Sequence, residues 1–139
     1  MRKIFISILV ICGFSVYCVA DIILEEEGSA SVAGAKQVAI SGDYAYIASA
    51  LGLYIIDIHD PKNPKYIKFF ISDDVYSLKQ IRAVDNYVYV LKNSGTFMII
   101  DITDKNNPVY LSSAYLDTAL DLEIFGNYAY IAGSSDGVI

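Results

Sequence analysis

The chain has 139 residues, of which 16 are acidic and 10 are basic, so its formal net charge is −6. A chain this acidic is poorly suited to bind nucleic acid or anionic lipid, and we expect neither kind of partner. Both of its cysteines lie in the first twenty residues, and His59 is its single histidine. Thiolate chemistry and multi-histidine sites are therefore excluded from the remainder of the chain.

The first twenty residues have the three-part pattern of a secretory signal peptide. Two basic residues follow the initiating methionine, residues 4–16 are nearly all apolar, and small residues end the segment. We predict that residues 1–20 are a signal peptide, that cleavage follows Ala20, and that the mature chain begins at Asp21. Because the apolar core is too short for a permanent spanning helix, we expect no membrane span in the mature chain. The predicted location is extracytoplasmic, meaning secreted, periplasmic or at the cell surface.

Acylation of a cysteine in this segment is the alternative. A lipoprotein would need Cys12 or Cys18 as the modified residue with a small residue directly before it, but Ile11 and Tyr17 are bulky. Cleavage after Ala20 would remove both cysteines and two basic residues, leaving eight basic and 16 acidic residues and a net charge of −8. An exported domain without cysteine depends on packing, rather than on disulfides, for its stability.

A repeat of about 43 residues occupies most of the remaining chain. The first block of the repeat occurs three times, with its first tyrosines 43 and then 41 positions apart. The three copies are residues 41–48, 84–91 and 125–132. A second block, residues 53–64, recurs without a gap as residues 97–108, and a third copy begins at Gly137 just before the sequence ends. We therefore expect the third repeat to be truncated.

Each repeat reads as four short strands rich in Val, Ile, Tyr and Phe. In the first repeat the predicted strands are residues 36–41, 44–48, 53–58 and 65–71. Hairpin turns with positive φ are predicted at residues 42–43, 85–86 and 126–127. Glycine opens the first and third of these turns, whereas Asp85 opens the second and fits the same conformation less comfortably.

The strands have apolar residues on both faces, and this pattern distinguishes a β-propeller from a β-sandwich. In the third strand, Leu53 and Ile55 point to one face, whereas Tyr54, Ile56 and Ile58 point to the other. A sandwich leaves one face of each sheet in water, whereas burial on both faces is typical of stacked propeller blades. We predict an all-β, partial β-propeller of about two and a half four-stranded antiparallel blades. A β-solenoid is the competing repeat fold, but its rungs are shorter.

This organisation divides the chain into three segments. Residues 1–20 are the predicted signal peptide, residues 21–34 a strand segment expected to close the ring with a missing last blade, and residues 35–139 the blades. Propellers close with four to eight blades, so missing C-terminal blades would be needed to close this one. We expect the present chain to expose apolar blade faces and open strand edges, and therefore to associate or to unfold reversibly at low cost.

The repeated blocks resemble the LVIVD repeat of secreted and cell-surface proteins of bacteria and archaea. Residues 42–48 and 54–58, together with Pro61 and Pro64, carry the resemblance, which extends from about Ala35 to the end of the sequence. The resemblance implies a β-propeller displayed outside the cytoplasm. It brings no catalytic residues, because the molecular function of such proteins is usually unassigned.

The most conspicuous residues of the repeat recur in it, and we predict structural roles for them. Asp57 and Asp101 end equivalent strands, where a carboxylate can accept backbone N–H bonds from the following turn. Paired tyrosines occur in all three repeats and are predicted to fill the space between blades rather than to form a sugar-stacking platform. These tyrosines are Tyr44, Tyr46, Tyr87, Tyr89, Tyr128 and Tyr130.

No residue cluster in the sequence predicts an active site, a cofactor site or a metal site. His59 lies in a turn and its equivalent in the next repeat is Thr103, and a serine nucleophile would have only this histidine as its base. Asp73 and Asp74 are adjacent acids, but a calcium loop needs several further oxygen ligands at set spacing. We therefore expect no catalytic residue and no cofactor.

The connections between repeats are the best candidates for a ligand-binding surface, because they vary while the strands remain alike. The candidate residues are Asp73, Asp74 and Tyr76 in the first connection, and Tyr115 and Asp117 in the second. An aromatic ring beside acids suggests a carbohydrate-like polar ligand or a basic protein surface as the partner.

Two functional classes remain open. The first is an exported, non-catalytic module for recognition of a protein or carbohydrate, which the acidic surface and the lack of nucleophiles favour. The second is a fragment of an extracytoplasmic propeller enzyme, a hydrolase or lyase acting on polysaccharide, whose catalytic groups lie in missing blades. Clustered His, Arg and acidic residues in additional blades would discriminate the enzyme from the module.

Overall fold

A computed structural model describes residues 2–7, 21–26, 29–117, 119–133 and 137–138. Its regular structure consists of antiparallel β-strands, and the predicted strands of the first repeat agree with the observed ones to within one residue at each end. The strands are β1 (Arg2–Ser7), β2 (Asp21–Glu26), β3 (Ala35–Ser41), β4 (Tyr44–Ser49), β5 (Leu53–Asp57), β6 (Lys65–Phe70), β7 (Leu78–Val84), β8 (Tyr87–Lys92), β9 (Thr96–Asp101), β10 (Val109–Tyr115), β11 (Ala119–Phe125), β12 (Tyr128–Gly133) and β13 (Gly137–Val138).

Three sheets repeat one simple topology, in which each strand pairs with the next along the chain. Strands β3 to β6 form the first blade, β7 to β10 the second, and β11 to β13 the described part of the third. The first strand of each blade contacts the first strand of its neighbour, β3 against β7 and β7 against β11. The sheets are therefore stacked side by side with their first strands innermost. The protein is a partial β-propeller.

The first hairpin of every blade has the same two local features. A β-bulge lies at Ala35/Gln37, at Leu78/Gln80 and at Ala119/Asp121. The hairpin turn that follows has a positive φ in each case, 56° at Gly42, 52° at Asp85 and 57° at Gly126. The prediction that Asp85 takes the conformation of a turn glycine is therefore confirmed.

Hydrophobic packing between blades forms the core. One cluster joins Tyr46, Leu53 and Ile55 of the first blade to Ile81 and Val90 of the second. A smaller cluster joins Leu91 of the second blade to Leu122 and Ile131 of the third. Burial of successive residues such as Ile55 and Ile56, which point to opposite faces, confirms the predicted two-sided burial of the strands.

The N-terminal strands form a separate two-stranded antiparallel sheet, in which β1 pairs with β2 and Ile4 lies opposite Leu24. Residues 21–26 are thus a strand, paired in this structure with β1. Their expected role in closing the ring with another blade stays a prediction. The predicted cleavage site after Ala20 lies outside the described residues. Within the described ranges, no helix has the length and apolarity needed to cross a membrane.

Candidate functional site

The loops of the blades lie on two opposite rims of the propeller. We call one the loop rim, because it contains the connections between blades and the β4–β5 and β8–β9 loops. Backbone hydrogen bonds hold these segments together, from Ser77 N to Ala50 O at 2.8 Å and from Leu116 N to Gly95 O at 3.1 Å. The other, the turn rim, contains the β3–β4 and β7–β8 hairpins and the turns after β5 and β9. The ligand-binding candidates predicted from sequence lie on the loop rim, in the connections between blades except for Tyr115, which is the last residue of β10.

The first connection, residues 71–77, is held in place by one buried side chain and by hydrogen bonds. Val75 is fully buried and belongs to the main hydrophobic cluster. Its backbone N–H donates to Ser72 O at 3.0 Å and to Ser72 Oγ at 3.3 Å. Asn93 of the second blade donates from its backbone N–H to Ser77 O at 3.0 Å and from Nδ2 to Ser77 Oγ at 2.9 Å. The loop is therefore held between two blades with a defined conformation.

Tyr76 projects from this anchored loop and remains half exposed. The ammonium group of Lys92 lies 3.9 Å from the centre of the Tyr76 ring, at cation–π distance. The same ammonium donates a hydrogen bond to Asp74 O at 2.9 Å, and the Lys92 residue as a whole is only 9% exposed. Lys92 thus braces both the ring of Tyr76 and the backbone of its loop.

An open groove of about 530 Å³ adjoins this ring, lined by Ile71, Ser72, Asp73 and Tyr76. Asp73, which lines the groove, and its neighbour Asp74 are both exposed. The arrangement offers an aromatic ring, an aliphatic side chain, a hydroxyl and two acids within one short segment. Ligand sites commonly combine apolar surface with a few polar groups in this way.

The candidate tyrosine at the second connection is more exposed than Tyr76. Tyr115 is 70% exposed, and Asp117 is also exposed. Tyr76 and Asp117 occupy equivalent positions, since each lies two residues before the first strand of a blade. The two predicted sets of residues are therefore not copies of one site. Among the described residues, no hydrogen bond, ion pair or ring contact joins the candidates of the two connections.

Lys92 is the functional candidate that sequence reasoning missed. The first repeat has Ser49 at this position, the last residue of β4, where Lys92 is the last residue of β8. Ser49 is buried and its Oγ bonds within its own loop, to Gly52 O at 2.8 Å and from Gly52 N at 3.0 Å. The replacement of Ser49 by the long, charged side chain of Lys92 at the equivalent position is the sequence signal that could have identified this residue.

On the turn rim, the aspartates that end the signature strands have the predicted structural role. Asp57 Oδ1 accepts the backbone N–H of His59 at 2.8 Å, and Asp101 Oδ1 accepts that of Thr103 at 2.7 Å. Hydrogen bonds from the side chain and the backbone of Thr103 lower the pKa of Asp101 below its ordinary value. The repetition of these bonds confirms that the two carboxylates shape turns.

His59, the single histidine, also belongs to the turn rim. Its side chain is 80% exposed, and its Nδ1 lies 3.5 Å from Asp43 Oδ2. This position agrees with the predicted solvated turn residue. Within the part of the chain that the structure describes, no three His, Cys, Asp or Glu side chains are grouped closely enough to hold a metal ion.

The paired tyrosines lie between blades only where a second blade covers them. Tyr46 is 1% exposed and packs with Tyr44, whose ring centre lies 6.5 Å away. Burial, and after it the neighbouring Tyr44, raises the pKa of Tyr46 to about 12. Tyr130, at the equivalent position of the third blade, is 45% exposed. The predicted wedge role is thus confirmed at the interface between the first two blades.

These sheets, their repeated turns and the two rims define a repeat β-propeller. The sequence model of the LVIVD repeat matches residues 33–69, 78–117 and 118–139, and the chain belongs to the LVIVD repeat family. A search of the curated proteins finds no match.

Two solved structures are similar to the chain at 13% identity over 72% of its length. One is the N-terminal domain of Nup159, with a TM-score of 0.48. The other is a complex from S. cerevisiae, a Dbp5 variant bound to Nup159, a Gle1 variant, IP6 and ADP, with a TM-score of 0.47. The chain spans 25% of the length of each matched chain.

Proposed function

We propose that this protein is an exported, non-catalytic recognition module that binds carbohydrate on its loop rim, with Tyr76 at the centre of the binding surface. The observation that carries the proposal is the bracing of a half-exposed tyrosine ring by Lys92 beside a groove of about 530 Å³. An aromatic ring held in one orientation presents contact area at low entropic cost.

The chemistry of the groove suits a sugar. The face of the Tyr76 ring that Lys92 does not cover can stack on the C–H groups of a pyranose ring. The carboxylates of Asp73 and Asp74 can accept hydrogen bonds from sugar hydroxyl groups, because ionised carboxylates are acceptors only. Lys92 already donates to Asp74 O, and it therefore positions the loop rather than contacting the ligand.

Export rests on the pattern of residues 1–20. The expected mature protein starts at Asp21, contains no cysteine and carries a formal charge of −8. Intact mass measurement of the protein recovered outside the cytoplasm of an expressing cell tests this part of the proposal. A mass corresponding to the chain from Met1 would contradict it.

Binding is tested with a panel of soluble polysaccharides, comprising glucan, mannan, galactan and peptidoglycan fragments, by affinity electrophoresis and calorimetry. We expect one of these probes to bind, and Tyr76→Ala to weaken its binding by about tenfold or more, since truncating an aromatic residue at the centre of a binding surface costs about 2 kcal/mol or more. Tyr76→Phe keeps the ring and should bind as the unmodified protein does.

Tyr115→Ala is the matched control, because Tyr115 is a more exposed aromatic residue of the same rim, and among the described residues no cation lies over its ring. Lys92→Met should weaken binding less than Tyr76→Ala, since it leaves the ring present but unbraced. Equal effects of Tyr76→Ala and Tyr115→Ala, or binding to none of the probes, would contradict the proposal.

A further inference from the structure

The connection that carries Tyr76 contains a residue whose backbone conformation is unusual for its type. Ser77, which follows Tyr76, has a φ of 54°, in the left-handed region that residues other than glycine rarely adopt. The equivalent residue of the first repeat is Gly34, with a φ of 66°, and each of the two lies directly before the first strand of its blade. The repeat therefore requires the left-handed conformation at this position, and glycine adopts it without strain.

The residue that contacts this position also differs between the two repeats. Ala50 donates its backbone N–H to Gly34 O at 3.3 Å, and Asn93, the equivalent of Ala50, donates its backbone N–H to Ser77 O at 3.0 Å. A Cβ atom added to Gly34 would lie 3.8 Å from Ala50 Cβ, an ordinary contact, so the first repeat has space for a side chain here. The second repeat fills this space with a polar pair, in which Asn93 Nδ2 donates to Ser77 Oγ at 2.9 Å.

The hydrogen bonds that link one blade to the next through glutamine side chains are of a different kind, because they recur. Gln37 Oε1 accepts the backbone N–H of Ile81 at 2.7 Å, and Gln80 Oε1 accepts that of Leu122 at 3.1 Å. One residue type thus makes the same bond at two successive interfaces, which indicates a role in the fold. The serine–asparagine bond instead stands where the first repeat has a glycine and an alanine, so the fold of a repeat does not require it.

The bond between Ser77 and Asn93 lies next to the ring of Tyr76. Lys92 directly precedes Asn93, and its ammonium group contacts the ring and donates to Asp74 O. Two successive residues of the second blade therefore hold the connection on either side of the tyrosine, at Asp74 before it and at Ser77 after it. Strained backbone conformations persist only where the surrounding structure imposes them, and they are frequent at ligand sites.

We infer that Ser77 and Asn93 are positioning residues for Tyr76. Their side-chain hydrogen bond restricts the chain directly after the tyrosine, so that the ring stays against the Lys92 ammonium and beside the groove. A loop that is already held in its binding conformation loses less entropy when a ligand binds. The effect on ligand affinity rests on the proposed function, whereas the effect on the ring holds with or without a ligand.

Nuclear magnetic resonance of the ligand-free protein tests the orientation of the ring. The Lys92 ammonium lies 3.9 Å from the ring centre, so the ring current should shift the side-chain signals of Lys92 upfield of those of an exposed lysine. Asn93→Ala and Ser77→Gly each remove the side-chain bond. Each variant should therefore move the Lys92 signals toward the position typical of an exposed lysine.

The double variant Ser77→Gly/Asn93→Ala has the residue pair that the first repeat has at Gly34 and Ala50, and it should therefore fold. Because both single changes remove the same bond, the double variant should move the Lys92 signals no further than the larger single effect. Its urea midpoint should stay close to that of the unmodified protein, because glycine relieves the left-handed strain but makes the unfolded chain more flexible.

Ser94→Ala is the matched control for these variants. The Ser94 hydroxyl group lies 3.1 Å from Thr96 Oγ1, in its own loop, and is exposed beside Asn93. Its removal should leave the Lys92 signals where they are in the unmodified protein.

Affinity electrophoresis with the glucan, mannan, galactan and peptidoglycan probes measures the effect on binding. The probe that binds the unmodified protein should bind Asn93→Ala and Ser77→Gly about threefold more weakly, since apparent affinity falls with the fraction of molecules in the binding conformation. Ser94→Ala should bind as the unmodified protein does. A loss of affinity at an unchanged urea midpoint is a result that a purely structural role would not give.

Three results would overturn the inference. The first is an unchanged position of the Lys92 signals in both single variants, the second is a shift of equal size in Ser94→Ala, and the third is probe binding that neither single variant weakens. If the Lys92 signals move but no probe binds the unmodified protein, the positioning of the ring is supported and the carbohydrate proposal fails. If Tyr76→Ala weakens binding while the Lys92 signals stay unchanged in Asn93→Ala and Ser77→Gly, the proposed function stands and the positioning role fails.

Discussion

At the scale of single residues, Gln37 and Gln80 link the blades because of where they lie in the backbone. Each directly follows a β-bulge, which changes the direction of the side chain relative to the regular pleat. The side chain thereby reaches the backbone of the next blade, 44 residues away for Gln37 and 42 for Gln80. A polar residue of the innermost strand thus sets the relative position of two blades whose remaining contact is largely apolar.

Gln37→Ala should lower the free energy of unfolding by ~1–3 kcal/mol, because the buried N–H of Ile81 would lose its acceptor. Urea unfolding measures the loss as a lower midpoint with an unchanged slope. Gln37→Glu keeps an acceptor at the same reach and should lose less. Lys36→Ala, at the exposed neighbouring residue, is the control for a change of strand propensity. A loss for Lys36→Ala as large as that for Gln37→Ala would contradict the assignment.

At the scale of structural elements, the turns after β5 and β9 are built alike from different residues. Asp60 accepts from the Lys62 backbone N–H at 3.0 Å and from Asn63 Nδ2 at 2.7 Å. Asp104 accepts from the Asn106 backbone N–H at 2.9 Å and from Asn107 Nδ2 at 2.8 Å. Both turns therefore depend on the aspartate and the asparagine. Pro61 follows the aspartate in the first turn, and the second turn forms without a proline there.

The residue that replaces this proline makes contacts of its own. Lys105 Nζ donates to Ile102 O at 2.7 Å and lies 5.4 Å from the centre of the Tyr44 ring of the preceding blade. The second turn thus exchanges the restricted φ of Pro61 for a polar contact within its blade and a cation–π contact to the blade before it. The turn is therefore retained although Lys105 stands in the place of Pro61.

Acid should weaken these turns in a defined pH range. Hydrogen bonds from the asparagine side chain, and after them from the backbone, lower the pKa of Asp60 and of Asp104 below the ordinary value of 3.8. Since the folded pKa lies below the unfolded one, the stabilisation is complete above pH 3.8 and is lost as the pH falls through the folded pKa. Thermal unfolding at a series of acidic pH values measures this loss.

Asp104→Asn is the matched variant for this prediction, since an amide keeps an acceptor for Asn106 N–H but does not titrate. The variant should be less stable than the unmodified protein above pH 3.8, and the difference between them should shrink as the pH falls below that value. A difference that stays constant across this range would contradict the assigned role of the charge.

At the scale of the whole molecule, stability comes from stacking one blade on the next. The main cluster contains residues of the first two blades, and the smaller cluster contains residues of the second and third. A single blade buries neither of its apolar faces, whereas a blade between two neighbours buries both. Equivalent residues therefore differ in burial according to their place in the row of blades.

The contribution of an apolar side chain to the free energy of unfolding should depend on whether a neighbouring blade covers it, more than on its residue type. Ile81→Ala removes apolar volume from the interface between the first two blades and should cost ~2–5 kcal/mol. Val38→Ala, at the equivalent position of the first blade, should cost less than ~0.5 kcal/mol because Val38 is exposed. Urea unfolding compares the two variants. Similar losses for both variants would contradict the blade-stacking account.

Much of the fold could be predicted because its determinants are local. The positive φ of Gly42 and Asp85 and the bonds from Asp57 and Asp101 to residues two positions ahead involve short stretches of backbone. Of the site, sequence indicated the connection that contains Tyr76 but not the cation that braces it. Lys92 is 16 positions from Tyr76 along the chain and belongs to another strand, so no local pattern joins them.

The sequence by itself determined the repeat, the strands and turns within it, the two-sided apolar pattern that specifies stacked blades, and the LVIVD resemblance. Each of these follows from residue type and spacing. Only the tertiary structure decided that Lys92 braces Tyr76, that Gln37 bonds to the next blade, and that Tyr46 is buried while Tyr130 is exposed. These properties depend on which blade lies next to which. The local sequence of one repeat specifies its strands and turns but not the residues that contact it from the neighbouring blade.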